Sequence, residues 1–278
     1  MQEIAKRLAD FLVDEVARGS RATMAAQKKH ELANCVLIVG GKYHDIDFAR
    51  LEFLKLLAED QGIRVRVFED YANINAISAA DFLLSYTCDV IPGLKEQEQL
   101  RSFVERGGRW FALHGTNSIL RFLKSGEVDC PDWAPLFMQT LGSMFIAHPP
   151  IGPYRVAVAD PNDPLVAGIE SFDATDELYL TKTYGKLHVL LDTEFDGEAS
   201  GFVRRNWPRA RHPVFYVNHL GQGGVLYLTL GHCRGHYDMR PLMNWYPEIE
   251  RGAWNLPVFY ELLRRGISWA KQAPERDR

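Results

Sequence analysis

The 278-residue sequence predicts an α/β fold with a mainly parallel sheet and antiparallel strands at one edge. In the first half of the chain, short apolar runs alternate with amphipathic helical stretches, a rhythm typical of right-handed βαβ crossovers. In the second half, strand-like stretches follow one another without long helices between them, which favours antiparallel pairing. A hydrophobic content of 46% is sufficient for a packed core.

The first half supplies four predicted strands and two predicted helices. Each strand is a short apolar run of the type buried in parallel sheets, and glycine follows each helix. Leu51, Leu54 and Leu57 mark the expected buried face of the first helix. The predicted strands are 35–39, 65–68, 82–87 and 109–113, and the predicted helices are 48–60 and 94–106.

The second half completes one predicted domain over residues 31–272. Its predicted elements are strands at 154–159, 213–218 and 224–230 and a closing amphipathic helix at 255–271. Residues 1–30 are expected to be an N-terminal helical extension, and residues 273–278 a C-terminal tail. The apolar stripe of the extension, at helical spacing over residues 4–16, must be buried somewhere. Contact with a second copy of the chain would bury it, so a homo-oligomer is expected.

Charge and composition exclude several classes of protein. A formal net charge of -4 argues against nucleic-acid binding, which depends on clustered lysine and arginine. The basic stretch at 204–211 is interpreted as a solvated loop, with phosphate or partner binding as the alternative. The four cysteines are widely spaced and suggest neither a zinc knuckle nor a disulfide framework. With no apolar run long enough to span a bilayer, a reduced, cytoplasmic protein without a membrane partner is expected.

Four histidines leave apolar runs or stand in small-residue turns: His44, His114, His148 and His232. In an open α/β sheet, ligands bind in the crevice outside the carboxyl ends of the strands. Several imidazoles near that edge would form a site that moves protons or holds a metal near neutral pH. Each histidine taken singly has an ordinary structural explanation, but together they favour an enzyme.

Three residues are the catalytic candidates. His114 ends a strand and precedes Gly115, the local geometry of an elbow that lifts one side chain above the sheet. His232 also ends a strand, and an imidazole serves as acid, base or metal ligand. Asp176 and Glu177 are adjacent, so at most one of them can face a given site if the segment is extended. Glu177 is the candidate base or metal ligand, with a surface charge as the alternative.

Five further residues are predicted to bind substrate. His44 and Asp45 lie in a glycine-containing turn after the first strand, and His148 is held extended by the proline that follows it. Tyr179 and Trp245 are aromatic residues in loop-like stretches, where a ring can stack on a sugar. A divalent metal such as zinc is also possible, although no pair has a characteristic ligand spacing. The candidate metal ligands are His44, His114, His148, Glu177 and His232.

Taken in order, short motifs between Cys35 and Ala270 resemble the trehalose-utilisation (ThuA-like) family. The matching segments are Gly40-Gly41 with His44-Asp45, Gly107-Gly108 to His114-Gly115, Leu141-Gly142-Ser143-Met144-Phe145 with His148-Pro149, Asp160-Pro161-Asn162-Asp163-Pro164-Leu165, Asp176-Glu177-Leu178-Tyr179, Tyr227 to His232, and Arg265 to Ala270. Residues 1–30 and 234–253 depart from the family pattern, and the latter would reshape the pocket.

The resemblance implies a flavodoxin-like, three-layer fold of the class I glutamine-amidotransferase type and a role in carbohydrate catabolism. Amidotransferases of this fold carry cysteine at the elbow where this chain has His114, so glutaminase activity is not expected. The favoured hypothesis is a hydrolase, lyase or isomerase acting on a sugar or an oxidised (keto) sugar by histidine acid/base chemistry. The alternative is a non-catalytic sugar-binding or regulatory module on the same fold.

Overall fold

The computed structural model describes residues 32–272, so the predicted helix within residues 1–30 and the tail at 273–278 lie outside the described residues. The strands of the described chain are β1 (Ala33–Gly41), β2 (Ile63–Phe68), β3 (Phe82–Cys88), β4 (Arg109–Leu113), β5 (Arg121–Phe122), β6 (Val128–Asp129), β7 (Ser143–Ala147), β8 (Gly152–Val158), β9 (Phe172–Asp176), β10 (Leu180–Thr183), β11 (His188–Glu198), β12 (Asn206–Leu220) and β13 (Gly223–Leu228). The α-helices are α1 (Ile46–Ala58), α2 (Ile74–Ala79), α3 (Leu94–Glu105), α4 (Pro135–Leu141) and α5 (Pro257–Lys271).

Nine strands form one mixed sheet in the order β2-β1-β3-β4-β13-β12-β11-β8-β9. The first five are parallel, and the last four pair antiparallel. The parallel part has the strand order of a flavodoxin-like sheet, in which the chain direction across the sheet reverses between β1 and β3. The predicted fold class is confirmed, including the antiparallel edge. This reversal in strand order predicts a ligand crevice beside the carboxyl ends of β1 and β3.

Helices cover both faces of the parallel part and make the three layers. Alternate residues of β1 point to opposite faces: Leu37 and Val39 join a core with α1 and α5, and Val36 and Ile38 join a core with α2, α3 and α4. Both faces of this strand are therefore buried, which explains why its sequence is continuously apolar. The layers hold the carboxyl ends of β1, β3, β4 and β13 at one edge.

Two details of the sequence prediction are wrong. Leu57 is buried as predicted, but Leu51 is 52% exposed. Phe53 and Leu56 join Leu57 on the buried face, and a residue two positions from Phe53 lies on the opposite side of a helix. The basic stretch at 204–211 is not a loop throughout. From Asn206 it belongs to β12, where Arg209 and Arg211 pair with acidic side chains of β11.

No helix in residues 32–272 is both long enough and apolar enough to span a membrane.

Candidate active site

The site lies where strands of the parallel sheet end. His114 follows β4 directly, and its backbone has a φ of 43°, in the left-handed region that favours glycine. Two other non-glycine residues of the described chain share this conformation, Tyr43 after β1 and Asp89 after β3, with φ of 67° and 58°. All three stand at the same edge of the sheet. Such strained positions persist only where surrounding contacts fix them, and they often occur at functional sites.

Four buried side chains meet at this edge, and we call His44, His114, Glu177 and His232 the four-residue cluster. Each is at most 5% exposed. His44 Nε2 lies 2.9 Å from His114 Nε2. Glu177 reaches both sides of the cluster, with Oε2 3.4 Å from His114 Nε2 and Oε1 3.1 Å from His232 Nδ1. The sequence places these residues up to 188 positions apart (44 to 232), and the strand order of the sheet brings them together.

Hydrogen bonds outside the cluster fix the orientation of two of its imidazoles. His114 Nδ1 lies 2.7 Å from the carbonyl oxygen of Thr229, which can only accept, so Nδ1 carries the proton and the lone pair of Nε2 points into the cluster. His232 Nε2 lies 2.7 Å from Glu250 Oε2, so its Nδ1 faces Glu177. Tyr179 donates its hydroxyl proton to His114 Nε2 at 3.2 Å. These contacts make His114 Nε2 an acceptor and turn Nδ1 of His232 towards the Glu177 carboxylate.

Burial and charge set the protonation states of the cluster. Burial raises the pKa of the Glu177 carboxyl, but the charges of His232 and His148 and the contact with His114 outweigh it and hold that pKa well below its usual range. Burial lowers the pKa of His232, yet the adjacent carboxylates of Glu177 and Glu250 raise it to about 9. Burial is the main reason that the pKa of His44 falls to about 3. At neutral pH the cluster combines an anionic carboxylate, a cationic imidazole and a neutral one.

Asp176 supports the cluster from the opposite side of the chain. Its carboxylate is 1% exposed and accepts hydrogen bonds from the backbone amides of Glu177, Gly231, His232 and Ala253. The two adjacent acidic residues thus point to opposite sides, as the extended backbone requires. Asp176 ties the segment that carries Glu177 to the turn that carries His232.

We expect Asp176→Asn to destabilise the protein by about 1–3 kcal/mol, since one carboxylate oxygen is lost and buried amides are left without an acceptor. Asp173 lies on the same strand with its side chain 71% exposed, and Asp173→Asn is the matched control. Urea unfolding of both variants measures the difference. Equal stability of the two would show that Asp176 does not hold these segments together.

A pocket opens on His44 and Glu177 of the cluster, and its lining is mostly apolar, with five phenylalanine and tyrosine rings. The cavity has a volume of about 150 Å³. Its walls include Tyr43, Phe122, Phe145, Phe202 and Met239, and we call it the aromatic pocket. Its polar lining is supplied by His44, Ser118, His148, Glu177, Tyr179 and Arg234. An apolar lining with a few convergent polar groups is typical of small-molecule sites.

The structure brings together six of the eight residues predicted for the site: the four-residue cluster, His148 and Tyr179. His148 is beside the cluster, with Nε2 3.6 Å from Glu177 Oε1. Asp45 instead caps α1 by accepting from the Phe48 amide and pairs with Arg251 at 3.0 Å.

Trp245 is 51% exposed and stacks on His236 with ring centroids 4.0 Å apart, so it does not line the aromatic pocket.

Two further side chains that contact the cluster, Arg234 and Glu250, have no clear signal in the sequence. Arg234 lies between two carboxylates, 3.5 Å from Glu177 Oε1 and 2.8 Å from Glu250 Oε2. Paired backbone hydrogen bonds join Arg234 to Glu250 and close the intervening segment into a loop. Residues 234–250 therefore form a loop over the site, and Met239 reaches the aromatic pocket from it. Only the proximity of Arg234 to His232 in sequence could have indicated its role.

Comparisons with known proteins identify the family and the fold. The sequence model of the ThuA family, described as trehalose utilisation, matches residues 35–246. A thua-like protein from Bacteroides uniformis ATCC 8492 has a similar structure, with a TM-score of 0.60 at 17% identity over 87% of this chain and 92% of that one. For a thua-like protein from Parabacteroides merdae ATCC 43184 the TM-score is 0.58 at 16% identity, over 88% and 92%. No curated protein matches the sequence. The structural likenesses show the fold.

Proposed function

Because the chain belongs to the ThuA (trehalose-utilisation) family, we propose that it is an enzyme of carbohydrate catabolism that cleaves or isomerises a sugar or an oxidised (keto) sugar. One observation carries the proposal: a buried cluster of three histidines and an ionised glutamate adjoins a cavity of about 150 Å³, which His44 and Glu177 line. A surface histidine needs no special protonation, whereas these imidazoles are held in defined tautomers and charge states. Acid/base catalysis needs such groups.

His114, His232 and Glu177 are the proposed proton-transfer residues. The Nε2 lone pair of His114 is the base and the cationic His232 is the acid, and these two fully buried imidazoles reach the pocket through Glu177, which lines it. Glu177 contacts both imidazoles and connects them electrostatically, so proton uptake at one favours release at the other. His44, His148 and Tyr179 would orient the substrate beside them. Asp45 and Trp245, further out, would contact only a substrate that extends beyond the aromatic pocket.

Phe202 is the aromatic residue that we expect to stack on the sugar ring. It lies in the pocket wall, with its ring 4.9 Å from that of His148. We expect Phe202→Ala to raise KM about 2- to 10-fold with a smaller effect on kcat, because aromatic stacking contributes about 0.5–1.5 kcal/mol. Trp245→Ala is the matched comparison, since Trp245 lies outside this pocket. A rise in KM confined to Trp245→Ala would place the sugar on the outer loop instead.

A search for products tests the proposed function directly. The protein is incubated with a panel of mono- and disaccharides and their keto derivatives, and products are identified by NMR and mass spectrometry. Binding is measured in parallel by calorimetry. We expect turnover of at least one member of the panel. Sugar binding without any product, unchanged in a variant that lacks the His114 imidazole, would identify a non-catalytic binding module instead.

A further inference from the structure

We propose that the four-residue cluster binds one divalent transition-metal ion through His44 Nε2, His114 Nε2, His232 Nδ1 and a carboxylate oxygen of Glu177. The inference deepens the proposed function by naming a cofactor for the same site, but ion binding can be measured without turnover. Donor atoms of these four residues lie within 4.8 Å of one another, and all four residues are buried. A proton can bridge only one pair of them, whereas an ion at their centre contacts all four.

The spacing of the donor atoms indicates the coordination geometry. Metal–imidazole bonds measure about 2.0–2.1 Å, so two nitrogens at right angles on one ion are about 2.9 Å apart, and two at a tetrahedral angle about 3.3 Å. His44 Nε2 and His114 Nε2 are 2.9 Å apart. The Glu177 oxygens lie 3.1 Å from His232 Nδ1 and 3.4 Å from His114 Nε2, so the donor spacings fit an ion with four to six ligands. Three imidazoles with one carboxylate select a transition metal over calcium or magnesium, which prefer oxygen ligands.

The groups behind the cluster complete the argument. Metal-binding histidines usually donate their second ring N–H to a carboxylate or a backbone carbonyl. His232 does so to Glu250, and His114 to the carbonyl of Thr229. The remaining nitrogen of His232, Nδ1, is buried and lies 3.1 Å from Glu177 Oε1 without a well-aligned hydrogen bond. An ion at the cluster would satisfy that nitrogen.

A bound ion changes the roles within the site without moving it. The lone pairs of His44, His114 and His232 would then be ligands, and the ion would supply Lewis acidity at the pocket. His148 is the imidazole at the site that would not coordinate the ion. It is partly exposed, with 24% of its side chain accessible, and lies against the same carboxylate.

Cobalt binding tests the proposal independently of any sugar. The full chain is freed of metal by chelation and titrated with Co²⁺, followed by visible absorption and calorimetry. We expect one tightly bound ion per chain, with visible d–d bands whose intensity reports the number of ligands. His44→Ala should weaken binding more than tenfold, and Glu250→Gln should weaken it about 10- to 100-fold through His232. Folding of each variant is checked by circular dichroism.

A second group of possible ligands provides the control. Asp160, Asp163 and His188 lie close together in a partly exposed position away from the pocket. We expect His188→Ala to leave cobalt binding unchanged. The proposal is overturned if the wild type binds no cobalt, or if binding is lost in His188→Ala and kept in His44→Ala. A protein that binds cobalt but converts no sugar would retain this inference and remove the proposed function.

Discussion

Replacing His114 by alanine is expected to lower turnover about 10²- to 10⁴-fold, the usual effect of losing a general acid or base. This corresponds to about 3–5 kcal/mol of activation free energy. The imidazole sits at the centre of the cluster, in contact with His44, Glu177 and Tyr179. Initial rates on the substrate found by the product search measure the loss.

His236→Ala is the control for this variant. His236 lies in the loop over the site and stacks on Trp245, away from the pocket lining. Its removal should change turnover less than about threefold, roughly 0.7 kcal/mol in activation free energy. Equal activity of the His114 variant and the wild type would exclude His114 from the mechanism, whether as a proton carrier or as a metal ligand.

Removing the charge of Glu177 is expected to cost more stability than any other single substitution considered in the site. With Glu177→Gln, the cationic His232 and Arg234 lose a buried anionic partner. Breaking a buried charge pair from one side typically costs about 3–5 kcal/mol. Urea unfolding of the metal-free protein at neutral pH measures this free energy. Turnover should fall in the same variant.

Glu194→Gln is the control, because it removes a carboxylate charge at the surface instead of in the buried site. Glu194 pairs with Arg209 at the surface, with about half of each side chain or more exposed. Exposed pairs contribute about 0–1 kcal/mol, so this variant should unfold almost like the wild type. A Glu177 variant as stable as the Glu194 variant would mean that Glu250 alone compensates His232 and Arg234.

The parallel half of the fold could be predicted because its sequence signals are local. The run at 35–39 is apolar at every position, since β1 is covered on both faces, and Arg109–Leu113 is found with the predicted bounds. The antiparallel half was harder to predict from the sequence. The strand β7 was not predicted, because its partner β10 is distant in sequence. The long strand β11 pairs with the next strand, β12, but its register shifts three times, which interrupts the alternation expected of a strand. The prediction that Leu51 is buried was wrong, because periodicity alone does not identify which apolar residues of a helix face the core.

The candidate site was accessible from the sequence where its residues end strands. His44, His114 and His232 follow β1, β4 and β13, and the edge common to parallel strands brings them together. Glu250 and Arg234 could not be predicted from the sequence, because they lie on an irregular loop that brings them to the cluster. Asp45 stood beside His44 in sequence, but capping α1 turns its side chain away. Local pattern identifies which strands end at the site, and tertiary contacts decide which neighbours face it.

The left-handed backbone at Tyr43, Asp89 and His114 has a consequence for the dynamics of the molecule. Each such residue costs about 1–3 kcal/mol relative to a relaxed backbone, and the three lie at neighbouring strand ends. The strand interiors contain no non-glycine residue in this conformation among the described residues. The amides at this edge should therefore exchange with solvent faster than equally buried amides in mid-strand. Occupancy of the pocket would slow that exchange. Ligand binding and local opening therefore compete at the same few residues. The first detectable effect of a bound ligand should be slower amide exchange at this edge of the sheet.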